Sequence, residues 1–355
     1  MLGGGVWVTQ NKTLPGSYIN IITASKANAN LGERGIVAIA LPLNKAVGTV
    51  IELNRADFMT TAKAKTGKDY NSADLLPIRE IFQNATKVYV YDLGSSTGAK
   101  TVADALGAFE SYEFNILCAY TDTAVDVTSY ITKVKSWRDD VGKKCQVVVY
   151  NQSTTAPDHE GVINVVSTVA EASASTNTAK AYELVAWVAG AEAGCQINQS
   201  ITNKKYNGEL TILTPKTQSQ LATCLTSGQF VFHLSYGDVC VLEDINSLTT
   251  TSTDKGEDFK YNQTIRVIDQ IANDIAKLFN TKYLGKIPNN ASGRVSLWAD
   301  IVAHHRELET LQAIEDFDPT LVTVEQGEKK KAVVVNDAIK VTNAIAILYM
   351  TVVVQ

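Results

Sequence analysis

Lys87-Val88-Tyr89-Val90-Tyr91, Phe114-Asn115-Ile116-Leu117-Cys118 and Gln146-Val147-Val148-Val149-Tyr150 punctuate residues 87–150, and the spacing between these apolar runs decides the fold. A helical pattern over residues 101–109 separates the first two, and another over about 125–141 separates the second and third. Near-continuous apolar strands alternating with helices predict a mostly parallel sheet covered on both faces. Toward the N-terminus, Ile36-Val37-Ala38-Ile39-Ala40 reads as a further buried strand, and a short helix begins near Arg55-Ala56-Asp57-Phe58. Toward the C-terminus, helices are expected over 178–193 and 215–227, the latter capped by Thr214 ahead of Pro215. Runs 230–234 and 239–242, joined by Ser235-Tyr236-Gly237-Asp238, read as a hairpin. Helical periodicity is strongest over 259–279, where Ile268, Ile271, Ala272, Ile275, Leu278 and Phe279 share a face. A second long helix spans 294–314, Asp318-Pro319 ends it, and strands follow at 321–324 and 332–335. The expected class is α/β, with mixed sheets flanked by helices.

The ends of the chain have a different character. Residues 344–354 read Ala-Ile-Ala-Ile-Leu-Tyr-Met-Thr-Val-Val-Val, an apolar and strand-forming segment with no polar tail. Termini ordinarily fray, whereas a flat hydrophobic strand is a template for another chain. Ile347, Leu348, Tyr349, Met350, Val352, Val353 and Val354 are therefore expected to need a partner sheet. At the other end, Gly3-Gly4-Gly5 leads into Val6-Trp7-Val8, and Leu14-Pro15-Gly16 closes that run. The expected organisation is an N-terminal arm over 1–33, an α/β middle region over 34–235, an inner α/β domain over 236–343 and a C-terminal strand arm over 344–355. Two extended arms that pair with neighbouring subunits would make the chain a building block.

Composition narrows the partners. At 355 residues the chain is long enough for about two domains. A formal charge of -5 and no basic stripe argue against nucleic acid. Lys329-Lys330-Lys331 lies between two strand-like runs and reads as a solvated hairpin turn. The five cysteines are scattered singly, as small buried hydrophobes would be. No apolar run approaches the ~18 residues of a membrane span, so a membrane partner is not expected, and folding in a reducing cytosol is.

No catalytic arrangement assembles. Gly94-Ser95-Ser96-Thr97-Gly98-Ala99-Lys100-Thr101 lies between a strand and a helix, where a phosphate-binding loop would sit. The glycine spacing is one short of such a loop and Ala99 separates Gly98 from the lysine, so a strand-to-helix turn is the better reading. Asp158-His159-Glu160 reads as a polar turn before Val162-Ile163. His304 and His305 lack the i,i+4 spacing of a helical metal site, and His233 sits alone in an apolar strand. Glu243-Asp244 reads as solvated or helix-capping. Neither an enzyme, a cofactor nor a metal is expected.

Several stretches resemble those of contractile tail sheath proteins, of the kind found in myophage tails and phage-tail-like bacteriocins. They are Leu14-Pro15-Gly16-Ser17-Tyr18, Glu33-Arg34-Gly35-Ile36-Val37-Ala38-Ile39, Asp158-His159-Glu160-Gly161-Val162-Ile163-Asn164-Val165 and Ala186-Trp187-Val188-Ala189-Gly190-Ala191. The most diagnostic are Glu243-Asp244-Ile245-Asn246-Ser247-Leu248-Thr249-Thr250 and Ile265-Arg266-Val267-Ile268-Asp269-Gln270-Ile271-Ala272-Asn273-Asp274-Ile275, with Tyr283-Leu284-Gly285-Lys286-Ile287-Pro288 and Leu348-Tyr349-Met350-Thr351-Val352 after them. Many relatives carry a β-rich insertion after the strand ending near Asp92, where this chain has only the Gly94 turn. A compact subunit is therefore expected.

The resemblance implies a structural subunit in stacked hexameric rings around a tail tube, made in the bacterial host cytoplasm. Its implied partners are further copies of itself, the tube protein, and baseplate and tail terminator proteins. Gly3, Gly4, Gly5, Pro15, Gly16 and Gly32 are the hinge candidates for contraction by rigid-body movement with strand pairing preserved. The helix carrying Arg294, His304, His305, Arg306 and Glu309 is the candidate tube contact. Two other readings compete: a nucleotide-binding motor using the Gly94–Thr101 loop, and a tube or shell protein that does not contract.

Overall fold

Ile36–Leu41 (β1) is the strand around which the rest is arranged, buried along its whole length. The computed structural model describes residues 31–96, 98–150, 157–169 and 180–353. After β1 come β2 (Val50–Asn54), α1 (Phe58–Thr66), α2 (Leu76–Phe82), β3 (Lys87–Asp92), α3 (Val102–Phe109), β4 (Ile116–Cys118), α4 (Ala124–Ser136) and β5 (Gln146–Tyr150). The middle continues with β6 (Val162–Val165), β7 (Thr168–Val169), α5 (Leu184–Gly194), β8 (Ile212–Leu213), α6 (Gln218–Thr226), β9 (Gln229–Phe230), β10 (Phe232–Ser235) and β11 (Asp238–Val241). The C-terminal lobe holds α7 (Asn262–Leu278), α8 (Ala291–Thr310), β12 (Ile314–Glu315), β13 (Thr323–Gln326), β14 (Val333–Asn336) and β15 (Lys340–Val341).

One seven-stranded sheet organises the body, in the order β2-β3-β1-β4-β5-β6-β9. All its pairings are parallel except that of β2, which closes one edge antiparallel to β3. The sheet is thus mixed and flanked by helices, as the sequence predicts. Successive strand side chains point to opposite faces, so one strand feeds two cores. Val37, Ile39, Val88 and Val90 pack under α2 and α5 through Ile78, Leu184, Trp187 and Val188. Ala38, Ala40, Leu117 and Val147 pack under α3 and α4 through Leu106, Phe109, Tyr130 and Val134. Helices α2 and α5 approach so closely that a Cβ on Gly190 would stand 2.3 Å from the Ile81 carbonyl oxygen.

Three departures from the expected elements have local causes. Helix α6 starts at Gln218 rather than before it: Thr217 is the cap and Gln220 returns the bond, so Pro215 lies outside. Helix α8 starts early because the Asn290 side chain accepts from the Gly293 N–H at 2.8 Å. Strands β2 and β6 have no counterpart among the expected elements, each being short or weakly patterned, and the expected strand 230–234 divides at Val231 into β9 of the main sheet and β10 of the hairpin. The hairpin of β10 and β11 turns on Tyr236 and Gly237, with φ of 49° and 93°, as a two-residue turn of primed type requires.

Helix α7 joins the body to the lobe, and it does so through its polar side. Asn262, Arg266, Asp269 and Asp274 are buried, whereas Ile268, Ile271 and Ile275 are only half-buried. Arg266 donates to Glu192 of α5 at 2.6 Å and to Asp244 at 3.2 Å. Arg138, just beyond α4, grips Asp269 with two bonds of 2.6 and 2.8 Å. Asp244 is therefore a buried ion-pair partner, not the solvated or capping carboxylate expected from its neighbourhood. Beyond the seam, small cores gather around Val267 and Leu308 and around Tyr283, Leu297 and Ile301.

Candidate assembly surface

The chain leaves the lobe through a well-tied root. Strand β15 pairs with β12, and the next residue, Thr342, donates its N–H to the Ala313 carbonyl at 3.1 Å. The side-chain amide of Gln263, in the first turn of α7, then takes the place of a neighbouring strand. Its Nε2 donates to the Thr342 carbonyl at 3.1 Å and its Oε1 accepts the Ala344 N–H at 3.0 Å. Past Ala344 the support ends. Ile345, Ile347, Leu348, Tyr349, Met350, Val352 and Val353 are all 68–96% exposed, and residues 344–353 lie in no strand. Both parities of the segment are bare, so neither of its sides is covered by the subunit. Exposed contiguous apolar surface of this kind marks an interaction site.

A short sheet of matching apolar character lies in the same lobe. Strands β13 and β14 form a sheet of only two strands, which on its own is marginal in water. Val334 and Val335 are exposed on β14. Beside them a groove of about 520 Å³ is walled by Phe279, Tyr283, Leu284, Ile287, Leu297 and Val333, with Arg294, Lys330 and Lys331 at its rim. The lysines belong to the turn between β13 and β14, where the sequence places them.

The two places that looked chemical are filled by the protein's own groups. In an open α/β sheet, ligands settle beyond the carboxyl ends of the strands, where the winding direction changes. Here the winding reverses between β1 and β4, and next to that point, at the ends of β1 and β3, sits the buried Asp92 carboxylate. It accepts backbone N–H bonds from Leu43, Asn44, Lys45, Ala46 and Gly94 at 2.7–3.0 Å. Burial pushes this carboxyl up, but the N–H donors outweigh it and hold Asp92 below the usual range. The Gly94 turn thus helps cradle an internal anion in place of a phosphate.

Asp139, His159 and Glu160 converge within 4.8 Å, a grouping compatible with a metal by residue type. Their lone pairs are already committed. The Gly161 N–H donates to His159 Nδ1 at 2.9 Å, which places the ring proton on Nε2, facing Asp139 at 3.1 Å. Glu160 is bound by Lys255 at 3.0 Å and faces Arg138 at 3.6 Å. Burial holds His159 below the ordinary imidazole value despite Glu160 and Asp139. The segment is a latch: Asp158 accepts the Thr249 and Thr250 N–H groups at 2.7 and 2.9 Å.

The remaining sequence-derived positions fall in different settings. Gly3, Gly4, Gly5, Val6, Trp7, Val8, Pro15, Gly16 and Val354 lie outside the described residues. Gly32 is pinned rather than loose, its N–H held by Asp274 at 2.9 Å, and a Cβ there would stand 2.5 Å from that carboxylate. Arg294 reaches Asn289 at the groove rim, Arg306 is exposed, and Glu309 accepts the Phe317 N–H at 3.0 Å. His304 and His305 are interior, bonded to Asp274 at 3.0 Å and Asp337 at 2.6 Å, so they present no face to a tube. No local pattern announces these partners, which lie 30 and 32 residues away in sequence.

Three family models tile the sequence. The tail sheath protein Gp18 domain III N-terminal region matches residues 34–93, the phage tail sheath protein central domain 94–247 and the phage tail sheath C-terminal domain 254–355. The tail sheath protein of Clostridium phage phiCD119 is 25% identical over 304 residues, 79% of this chain and 82% of the relative. The phage-like element PBSX protein XkdK of Bacillus subtilis is 29% identical over 259 residues, 70% of this chain. The chain spans about half the length of its Bacillus subtilis relatives, 41% of YqbK and 54% of XkdK. Among solved structures, the sheath tail protein of Desulfitobacterium hafniense superposes with a TM-score of 0.74 at 27% identity, over 88% of this chain and 93% of that one. The anti-feeding prophage helical sheath in its contracted state shares the fold, with a TM-score of 0.69 at 16% identity over 96% and 99% of the two chains.

Proposed function

This chain belongs to the phage tail sheath family, and from that premise we propose that it is a structural subunit of a contractile tail, assembling as stacked hexameric rings around a tail tube. The observation that carries the reading is the bare segment 344–353 in a chain whose lobe also holds a sheet that stops at two strands. The segment of one subunit adds to the edge of β13–β14 in a neighbour, and its inward side chains drop into the groove walled by Phe279, Tyr283 and Leu297. At ~3.3 Å per residue such a strand reaches roughly 30 Å into the next subunit. About five main-chain bonds at ~1 kcal/mol each and several side chains at ~2 kcal/mol each supply on the order of 10 kcal/mol before ordering costs. That clasp holds while bodies rotate, so contraction is a rigid-body rearrangement of linked subunits.

No fuel is consumed in this reading, because the extended lattice is the less stable one and new contacts between bodies form on release. Of the α8 candidates, exposed Arg306 and half-buried Arg294 remain available for the tube, while His304 and His305 act inside the subunit. Baseplate and terminator proteins cap the two ends of the stack. Removing residues 348–355 tests the clasp: the subunit should stay folded by circular dichroism and gel filtration, yet form no tubes in electron micrographs. Full-length tubes from the truncated protein would end the proposal. A sheath lattice whose ring pitch is the same before and after triggering would instead identify a static shell.

A further inference from the structure

Four titratable groups form a line across the lobe, three of them buried and the fourth, Asp337, exposed. His304 Nε2 meets Asp274 at 3.0 Å, His304 Nδ1 faces His305 Nδ1 at 3.3 Å, and His305 Nε2 meets Asp337 at 2.6 Å. The line begins and ends at the roots of the two arms. Asp274 holds the Gly32 N–H at 2.9 Å, where the described chain begins, and Gln270 braces both of its oxygens at 2.8–2.9 Å. Asp337 lies between β14 and β15, just ahead of the C-terminal root.

Donor bookkeeping sets the charge of the pair. Each Nε2 faces a carboxylate, so each carries a proton, and Nδ1 is the only other site on each ring. With no proton on either Nδ1, two lone pairs oppose each other at 3.3 Å inside the protein. With one proton, the line is a continuous run of hydrogen bonds. With two, a pair of N–H groups collide and the bond is lost. Among the described residues the surroundings supply no alternative partner: Phe317 packs its ring against His305 at 5.1 Å, and Asp300, one turn earlier on α8, is bound by Lys282 and Tyr283. Glu315 and Asp316 face Lys340, and Arg34 donates to Gln270 on the Gly32 side.

We propose that His304 and His305 form a one-proton latch that fastens both arm roots to α8, so that gaining a second proton or losing the first loosens Gly32 and the segment after Asp337 together. The proposal is independent of the strand-addition reading, because it concerns bonds within one subunit.

Hydrogen exchange of the full chain, corrected for intrinsic rates, tests it at the Gly32 and Thr342 amides. Protection should peak near neutral pH and fall roughly tenfold toward pH 5 and again toward pH 9, as expected for one lost hydrogen bond of ordinary worth. In His305→Gln the pH dependence should vanish, whereas His233→Gln should keep it. Nitrogen NMR of the unmodified histidines supplies a readout that does not depend on a variant folding. One Nδ1 proton shared by the two rings at neutral pH supports the latch. Two unprotonated Nδ1 atoms, or flat protection across the range, overturns it.

Discussion

The seven-stranded body and the lobe built on α7 and α8 bury their surfaces by opposite strategies. In the body, β1 is paired on both sides and covered on both faces, and Trp187 of α5 is fully buried. In the lobe the sheets stop at two strands, and Tyr349 stands 91% exposed. The joint between them is polar: Arg266, Glu192, Asp244, Arg138 and Asp269 are paired where a single domain would place hydrophobic residues. The body buries its sheet within one chain, whereas the lobe leaves residues 345–353 bare. The proposed movement of linked subunits calls for that division: a body that buries its own core, and a lobe with apolar surface left for a neighbour.

The largest expected effect is at the joint. Arg266→Met leaves Glu192 and Asp244 buried together without their cation, and losing one partner of a buried network costs about 3–5 kcal/mol. Urea unfolding followed by tryptophan fluorescence checks this, since Trp187 reports on the body and Trp298 on the lobe. One shared transition in the native chain that splits in the variant would sharpen the contrast. A loss below about 1 kcal/mol would show that the joint is not what couples the two regions. Within the body, Gly190→Ala drives a methyl onto the Ile81 backbone. Overpacking of that kind costs about 1–3 kcal/mol, and a midpoint shift in the same assay measures it.

In the lobe, the counterpart is Val335→Lys on β14. Val335 is 38% exposed, and a surface change at such a site moves subunit stability by less than about 0.5 kcal/mol. Assembly should nevertheless fail, because a charge on the acceptor strand is a device that blocks edge pairing. If Val335→Lys unfolds the subunit as readily as Gly190→Ala does, the lobe is self-sufficient and the comparison collapses. Sedimentation of assembled against free protein separates these outcomes.

What the sequence disclosed follows the same division. Strands β1, β3, β4 and β5 were legible because each is an unbroken apolar run, and α7 and α8 because their apolar positions recur at the helical period. Residues 344–354 stand out in the sequence as an apolar run, and the structure leaves 345–353 of them uncovered. Strand β9 is two residues long, and its place is set by register against Asn164 and Val165, which no local pattern encodes. The nest around Asp92 joins residues 46–49 positions apart, and the histidine line joins three separate segments. Polar contacts at such separations carry no periodic signal. For that reason the Gly94 loop was rejected on spacing alone, while the carboxylate that fills its place went unseen.

The smallest expected effect is a pH dependence confined to the body side. Asp158 fastens the turn ahead of β6 to Thr249 and Thr250. Burial pushes its carboxyl up, but the Thr250 and Thr249 N–H and hydroxyl donors outweigh burial and hold it down at about 2. Its unfolded value is about 3.9. A group depressed on folding contributes stability that is present above the unfolded value and is lost as pH falls through the folded one. The contribution is therefore whole above about pH 4 and fades toward pH 2. Asp158→Asn should flatten the fall in urea midpoint across that window while lowering the neutral-pH midpoint slightly. Removing residues 348–355 should leave the slope alone, since no side-chain carboxylate lies in that segment. A truncated chain whose acid slope changes as much as that of Asp158→Asn would mean that the arm packs on the body after all.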